Sequence, residues 1–226
     1  AEEALAVARR GPGPVAAEAA MLAARRVMKT EELLAARESM RAVEKAFPLE
    51  APAPDAGFLV GWLALQAGRF EDAVKDFTGF DTHYPAAKRR DEALWYRALA
   101  HLRLAQYPQA RGVLDTLVET FPKSSLVPQA RYWAARGRAL EGAKVDVLGP
   151  AYETLITSAP NSYYALLAAE RLRELGRQPP APFPEPPRLP EGTQVPAELK
   201  LAVALSEAGL FQDAVEDVRA RTGRLK

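Results

Sequence analysis

The chain has 226 residues, of which 48% are hydrophobic and 26% charged, a composition typical of a folded globular protein and not of a disordered one. Its formal net charge of +1 creates no strong field, so we expect it to bind neither nucleic acid nor an anionic membrane surface. The lack of cysteine excludes disulfides, thiolate metal sites and cysteine nucleophiles, and it suits an oxidising compartment.

No apolar run approaches the roughly 20 residues that a transmembrane helix needs, so we predict no membrane span. The first residue is Ala1 and not methionine, as expected either of a mature protein that has lost a signal peptide or of a fragment. Both alternatives stay open. Residues 2–10 predict a short helix, which the Gly-Pro-Gly-Pro run at positions 11–14 closes.

A repeat with a period of 37 residues follows this helix. Each repeat ends in an aromatic residue and proline, an alanine lies 12 residues before that proline, and a large side chain lies three residues before the alanine. The prolines are Pro48, Pro85 and Pro122, the alanines are Ala36, Ala73 and Ala110, and the large residues are Leu33, Phe70 and Tyr107. A fourth repeat ends 38 residues later, at Pro160. Three markers that share one period indicate a repeat architecture.

The markers are typical of tetratricopeptide-like helix hairpins. A first helix ends at a small residue such as Gly68 or Ala105, a large residue fills the gap, and the alanine lets the second helix approach closely. Proline ends the unit because it cannot continue a helix. We therefore predict an all-α fold, a right-handed superhelix of such hairpins, with units at about 17–48, 55–85, 91–122 and 129–160. No alternating apolar run predicts a strand.

The end of the array departs from the pattern. In the fourth unit Leu148 replaces the expected alanine, and Pro150 predicts a second helix that restarts with proline in its first turn. Ser162 predicts the N-cap of a helix over residues 163–175, which ends at Gly176. Helical repeats thus cover residues 1–176, a proline-rich linker covers 177–196, and one further hairpin covers 197–226. In that hairpin the places of Gly68, Phe70 and Ala73 are taken by Gly209, Phe211 and Ala214.

The polar residues predict no catalytic, metal or cofactor site. Each pair of neighbouring carboxylates lies at the start of a predicted helix, where negative charge meets the positive end of the helix dipole. These pairs begin at Glu2, Glu31, Glu71 and Asp91. His83 and His101 are the only histidines, and no spacing joins them to a shared metal or a nucleophile. The Gly-Pro run at 11–14 is too rich in proline to bind phosphate through backbone N–H groups.

One candidate binding surface is a stripe of large apolar residues in the first helices. It consists of Met21, Phe58, Trp95 and Trp133, which are spaced 37, 37 and 38 residues apart. If this position faces the inner groove of the array, the side chains could contact sugar rings or the side chains of a peptide. The alternative is that the stripe is buried between neighbouring units, and both interpretations stay open.

Residues 130–172 contain the most specific phrase of the sequence. It consists of Ala130-Arg131-Tyr132-Trp133 with Arg136, then Tyr152 and Leu155, then Ser162-Tyr163-Tyr164 and residues 168–172. This phrase resembles the helical superhelix of the soluble lytic transglycosylase family, periplasmic enzymes that cleave peptidoglycan glycan strands. A weaker likeness continues through residues 197–218. The resemblance implies a periplasmic scaffold that positions a glycan strand or a C-terminal catalytic domain.

The family's catalytic glutamate lies in a Glu-Ser motif that is followed by a Gly-Leu-Met-Gln motif. Glu38-Ser39-Met40 and Gly209-Leu210-Phe211-Gln212 look like pieces of this pattern, but their first residues lie 171 positions apart. Glu38 also falls on a repeat helix, and Gly209 and Phe211 already have places in a repeat. No residue of this chain therefore inherits the catalytic role.

Two functions remain. The first is the non-catalytic superhelix of a periplasmic lytic transglycosylase, whose partners would be peptidoglycan or a C-terminal catalytic domain that lies outside this chain. The alternative is a stand-alone tetratricopeptide-like scaffold of the cell envelope that binds a protein partner in its groove. Neither function predicts a catalytic residue, a metal or a cofactor within these 226 residues.

Overall fold

The computed structural model describes residues 6, 13–30, 32–181 and 195–222, and all regular secondary structure in these ranges is helical. The chain divides into two compact units, Ala1–Phe183 and Pro184–Lys226. In its described part the first unit contains α1 (Pro14–Val27), α2 (Leu33–Ala46), α3 (Ala53–Gln66), α4 (Phe70–His83), α5 (Arg90–Arg103), α6 (Tyr107–Thr120), α7 (Val127–Leu140), α8 (Val145–Ser158) and α9 (Tyr163–Glu174). The second contains a 3-10 turn, Ala197–Leu199, followed by α10 (Lys200–Glu207) and α11 (Phe211–Thr222).

The helices of the first unit form a stack of hairpins. Each helix packs against the next one in the chain, and α3 also contacts α5 while α7 contacts α9. First helices (α1, α3, α5, α7) therefore alternate with second helices (α2, α4, α6, α8), and α9 follows as a further first helix. The prediction of an all-α fold of tetratricopeptide-like hairpins is confirmed. Of the helices in the described ranges, none is both long enough and apolar enough to cross a bilayer.

The period of 37 residues is visible in the helix boundaries. The first helices α3, α5 and α7 begin at Ala53, Arg90 and Val127, at equal intervals of 37 residues. The second helices α2, α4 and α6 keep the same interval, whereas α8 begins one residue later than the interval requires. The extra residue of the fourth repeat therefore lies between α7 and α8.

The small residues after the first helices adopt the left-handed backbone conformation that ends a helix. Gly68, Gly142, Gly176 and Gly209 have φ of 72°, 82°, 72° and 78°. Ala105 ends α5 in the same way with φ of 56°, and it is the non-glycine residue with positive φ in the described chain. Glycine suits this region because it has no Cβ, whereas alanine is strained there. The prediction that Gly68 and Ala105 end first helices is confirmed.

The three marker types of the repeat have the packing roles that the sequence predicts. The alanines Ala36, Ala73 and Ala110 are completely buried where second helices meet their neighbours. The large residues Leu33 and Phe70 are partly buried against the cores of their own units. In the fourth unit Leu148 replaces alanine and is also buried. The fourth hairpin therefore accepts a larger side chain at the position where the other three accept a methyl group.

The prediction that Pro150 restarts the second helix of the fourth unit is wrong. Helix α8 begins at Val145, and Pro150 is its sixth residue. Pro150 cannot donate to the carbonyl of Asp146, but both residues are exposed, so water can satisfy that carbonyl. Gly149 is buried under Arg177, whose guanidinium would overlap any Cβ at that position. The Gly-Pro pair therefore reflects close packing of the chain after α9 and not a helix start.

Other predicted boundaries agree with the structure or lie outside it. Ser162 caps α9, with its hydroxyl oxygen accepting from the backbone N–H of Ala165 at 3.1 Å, and Gly176 follows that helix. The predicted helix over residues 2–10 lies outside the described residues except for Ala6, which is helical. Of the predicted linker, residues 182–194 also lie outside them, and residues 177–181 form no helix.

Candidate functional site

The predicted stripe of apolar residues is mostly buried. Met21, Phe58 and Trp95 retain 2%, 1% and 7% of their surface, and they belong to the hydrophobic cores between helices. Arg89 covers the ring of Phe58 with its guanidinium carbon 3.5 Å from the ring centroid. These three side chains therefore serve as packing, as the alternative interpretation held.

The fourth member of that stripe was assigned to the wrong residue. Because α7 keeps the interval of 37 residues from α5, the residue at the position of Trp95 is Tyr132 and not Trp133. Tyr132 is 4% exposed, so all four members of the corrected stripe are core residues. Trp133 is only partly buried, and it contacts the two cores on either side of α7.

Trp133 belongs to a different row, one residue further along each first helix. This first-helix row consists of Leu22, Leu59, Tyr96 and Trp133, all large and 37 residues apart. Leu22 is 60% exposed, and the other three are partly exposed. A residue that is large in every repeat and incompletely buried is what a binding surface requires. The sequence carried this signal, but the extra residue of the fourth repeat obscured it.

The partly buried members of the first-helix row are held in place by other rings. Tyr96 stacks on Phe77 of α4 with ring centroids 6.0 Å apart and an angle of 19° between the planes. Trp133 meets Tyr132 edge-on at 5.7 Å, and its indole N–H donates to the hydroxyl of Tyr164. Their positions are therefore rigid, which lowers the entropy that a partner would lose by binding to them.

The tyrosines of residues 130–172 form one cluster at the end of the first unit. Tyr132 lies 6.2 Å from Tyr152 and 5.6 Å from Tyr164, measured between ring centroids. Burial raises the pKa of Tyr152, and the nearby charge of Arg136 opposes the rise without a hydrogen bond of good geometry to the hydroxyl. Tyr163 is 66% exposed next to Tyr164. The cluster is therefore a core with one aromatic edge at the surface.

A groove of about 560 Å³ lies between the second helices α2 and α4 and above the first helix α3. We call it the α2–α4 groove. Val60 and Phe80 line it and are buried, whereas Leu49 at its edge is 97% exposed. Gly57 and Gly79 contribute no side chain to it. A Cβ at Gly57 would come within about 3 Å of Glu44 and Tyr84, so glycine is required for their placement.

Both carboxylates of the α2–α4 groove are compensated. Asp76 accepts hydrogen bonds from Arg37 at 3.1 and 2.7 Å and from Arg41 at 3.0 Å. Burial raises the pKa of Glu44, although the hydroxyl of Tyr84 donates to it. Burial and the charge of Glu44 raise the pKa of Tyr84 to about 12. The remaining charges of the groove are those of Lys45 and Lys75, which are both exposed.

A second groove of about 270 Å³ occupies the corresponding place two repeats later, between α6 and α8 and above α7. Its charges differ, since Asp115 and Glu119 hold the helix positions that Arg41 and Lys45 hold in the first groove. Arg131 holds the helix position of Gly57 and narrows the space. The two grooves therefore share their construction but not their chemistry.

The groups that the sequence analysis considered for catalysis take structural places. Glu71 and Asp91 lie in the first turns of α4 and α5, as predicted for helix starts. Ser39 is fully buried and its hydroxyl donates to the carbonyl of Ala35 at 2.9 Å, while the neighbouring Glu38 is exposed on α2. His101 Nδ1 lies 2.7 Å from the amide oxygen of Gln106. In the described ranges, no three His, Asp or Glu side chains group closely enough to bind a metal.

Comparison with known proteins agrees with this architecture. A tetratricopeptide repeat family model matches residues 92–124, which include nearly all of α5 and the whole of α6. No curated protein matches the chain in sequence. The chain is similar to a solved structure from Podosopora anserina, described as a putative kinesin light chain with nearly identical TPR-like repeats, and to a second structure of that protein that carries a single substitution.

Each of these two structures has a TM-score of 0.51 and 15% sequence identity to the chain. The alignments cover 90% and 91% of this chain, and 94% of the Podosopora anserina chain in each case. An identity of 15% shows a shared fold and nothing further. The fold of this chain is therefore tetratricopeptide-like, with at least one repeat, residues 92–124, that also matches the family in sequence.

Proposed function

We propose that this chain is a tetratricopeptide-like scaffold that binds a protein partner. The observation that carries the proposal is the first-helix row, in which Leu22, Leu59, Tyr96 and Trp133 repeat a large, partly exposed side chain at one helix position. Repeat arrays offer such extended surfaces to other proteins, because each repeat adds one more contact of the same kind.

Leu22 is the most exposed member of the first-helix row, and it provides the sharpest test. Leu22→Glu places a charge on this surface without disturbing a core, and Leu34→Glu is a matched control because Leu34 is 50% exposed on the second helix α2. Proteins captured by the intact chain are identified and quantified. The proposal requires a specific protein whose capture falls with Leu22→Glu and persists with Leu34→Glu. Equal capture by both variants would contradict it.

A second candidate is the non-catalytic superhelix of a periplasmic lytic transglycosylase, which holds a glycan strand or positions a catalytic domain. The observation that favours it is the phrase over residues 130–172, together with the exposed edge formed by Tyr163 beside Trp133 and Tyr164. Aromatic faces at a surface suit sugar rings.

Sedimentation with purified peptidoglycan sacculi tests this second candidate. The wild-type chain is expected to sediment with the sacculi, and Tyr163→Ala is expected to reduce the bound fraction. Leu201→Ala, a change at an exposed residue of the second unit, is the control. The absence of sedimentation would count against the glycan role. The candidate also requires that the parent gene encode Glu-Ser and Gly-Leu-Met-Gln motifs after Lys226, and a gene without them would contradict it.

A further inference from the structure

The α2–α4 groove differs from the other spaces between second helices in ways that favour binding. Gly57 and Val60 of α3 form part of its lining, whereas Leu94 and Arg97 hold these helix positions in α5. Gly79 leaves further room on α4, since the atoms nearest to a Cβ built there are 4.0 Å away. A volume of about 560 Å³ lies within the range of ligand sites. Small side chains at three positions therefore open this groove.

The charges of this groove select a partner. Three permanent cations, Arg41, Lys45 and Lys75, line it together with two carboxylates. Asp76 is already neutralised by hydrogen bonds from Arg37 and Arg41. Among the described residues, neither Lys45 nor Lys75 forms an ion pair. The groove thus presents two unpaired ammonium groups to whatever enters it, and charge complementarity calls for an anionic ligand.

The apolar part of the groove adds a second requirement. Leu49 is 97% exposed at the edge, and Val60 and Phe80 lie below it. A small inorganic anion would use none of this apolar surface. We infer that the α2–α4 groove binds a segment of a partner protein in which an apolar side chain is flanked by acidic side chains. This inference rests on the proposed function as a protein-binding scaffold, and it names the chemistry of the partner.

Synthetic peptides provide the probe. Short peptides with a central leucine flanked by glutamates are compared with peptides of equal length in which serine or lysine replaces the glutamates. Binding to the full chain is measured by fluorescence anisotropy at low and at high salt. The acidic peptide is expected to bind most tightly and to weaken as salt screens the lysines. If it binds no better than the serine peptide, the inference is overturned.

Two pairs of variants locate the binding. Lys45→Glu combined with Lys75→Glu is expected to weaken acidic-peptide binding at least about tenfold. Lys88→Glu combined with Lys123→Glu makes the same change of net charge at exposed loop residues and is expected to leave binding within about twofold. An equal loss in the two double variants would mean that only the net charge matters, which would overturn the groove as the site.

A filled groove gives an independent test. Gly79→Leu adds a side chain where space is open, and leucine is a better helix former than glycine, so the variant is expected to fold. Gly112→Leu is the control, because Gly112 is exposed on α6 and lines neither groove. Binding of the acidic peptide is expected to fall at least about fivefold in Gly79→Leu alone. Unchanged binding in that variant would contradict the inference.

The same variants separate this inference from the proposed function. If Leu22→Glu abolishes capture of the protein partner and Lys45→Glu with Lys75→Glu does not, the scaffold function stands and the groove is not used for it. If no variant changes the set of captured proteins, and the acidic peptide does not bind, both proposals fail together.

Discussion

Arg37 on α2 donates two hydrogen bonds to a single carboxylate oxygen of Asp76 on α4, at 3.1 and 2.7 Å. Only 11% of either side chain is exposed, and Arg41 donates to the other oxygen of the same carboxylate at 3.0 Å. This buried pair joins the second helices of two consecutive repeats along one wall of the α2–α4 groove. Its geometry, with three charge-assisted hydrogen bonds on one carboxylate, is of the kind that makes loss of one partner costly.

Removal of Asp76 is therefore expected to destabilise the array. Asp76→Ala leaves the guanidinium of Arg37 buried without its partner, and we expect the free energy of unfolding to fall by about 3 kcal/mol. Asp72→Ala is the control, because Asp72 lies 3.6 Å from Arg37 and is 35% exposed, so its loss is expected to cost less than about 0.5 kcal/mol. Urea unfolding followed by circular dichroism measures both. Similar losses in the two variants would show that the buried pair adds nothing.

Glu44 is expected to make stability depend on pH. Burial raises its pKa in the folded chain, so folding favours the protonated form, and ionisation of Glu44 destabilises the native state. Glu44→Gln removes this penalty and keeps an acceptor for Tyr84. The melting temperature of the variant is expected to exceed that of wild type at pH 7 and to converge with it at about pH 4, where the carboxyl is protonated in both states. A constant difference at every pH would contradict this expectation.

The left-handed residues after first helices provide a reciprocal pair of substitutions. Ala105→Gly relieves the strain of a Cβ at φ of 56°, and we expect stabilisation of about 0.5 kcal/mol after the greater freedom of glycine in the unfolded chain is counted. Gly68→Ala introduces the same strain at φ of 72° and is expected to cost about 1 kcal/mol. Thermal unfolding measures both changes. Two changes of the same sign would show that the backbone conformation does not decide these positions.

Trp95 and Leu22 distinguish the core stripe from the surface row. Trp95→Ala opens a cavity in a core where Trp95 is 7% exposed, and we expect a loss of about 4 kcal/mol. Leu22→Ala removes a side chain that is 60% exposed and is expected to change stability by less than about 0.5 kcal/mol. Chemical denaturation measures both. A small loss at Trp95 would contradict its placement in the core and restore it as a surface residue.

Much of the fold was predictable because the repeat markers report local causes. Proline at 48, 85 and 122 cannot continue a helix, so the ends of second helices were visible in the sequence. Gly68 and Ala105 marked the ends of first helices because a small residue is needed where the backbone turns left-handed. Ser162 marked the start of α9 by the capping hydrogen bond that it makes. Each of these residues acts through its own backbone or its nearest neighbours.

The candidate site was less predictable because one residue of offset changes the face of a helix by about 100°. Placing the extra residue of the fourth repeat before Trp133, and not after α7, joined a surface residue to three core residues. Pro150 misled for a related reason, since its exposed position lets α8 tolerate a proline that a buried helix would exclude.

The sequence by itself determined the helical hairpins, their period and most of their ends, because these depend on residues that act over one or two helical turns. Only the tertiary structure decided which large residues face a core and which face a partner, because that depends on where two helices from different repeats meet. Gly57, Val60 and Gly79 come from two helices and show no pattern along the chain. Their assembly beside Lys45 and Lys75 into one groove is a product of packing alone.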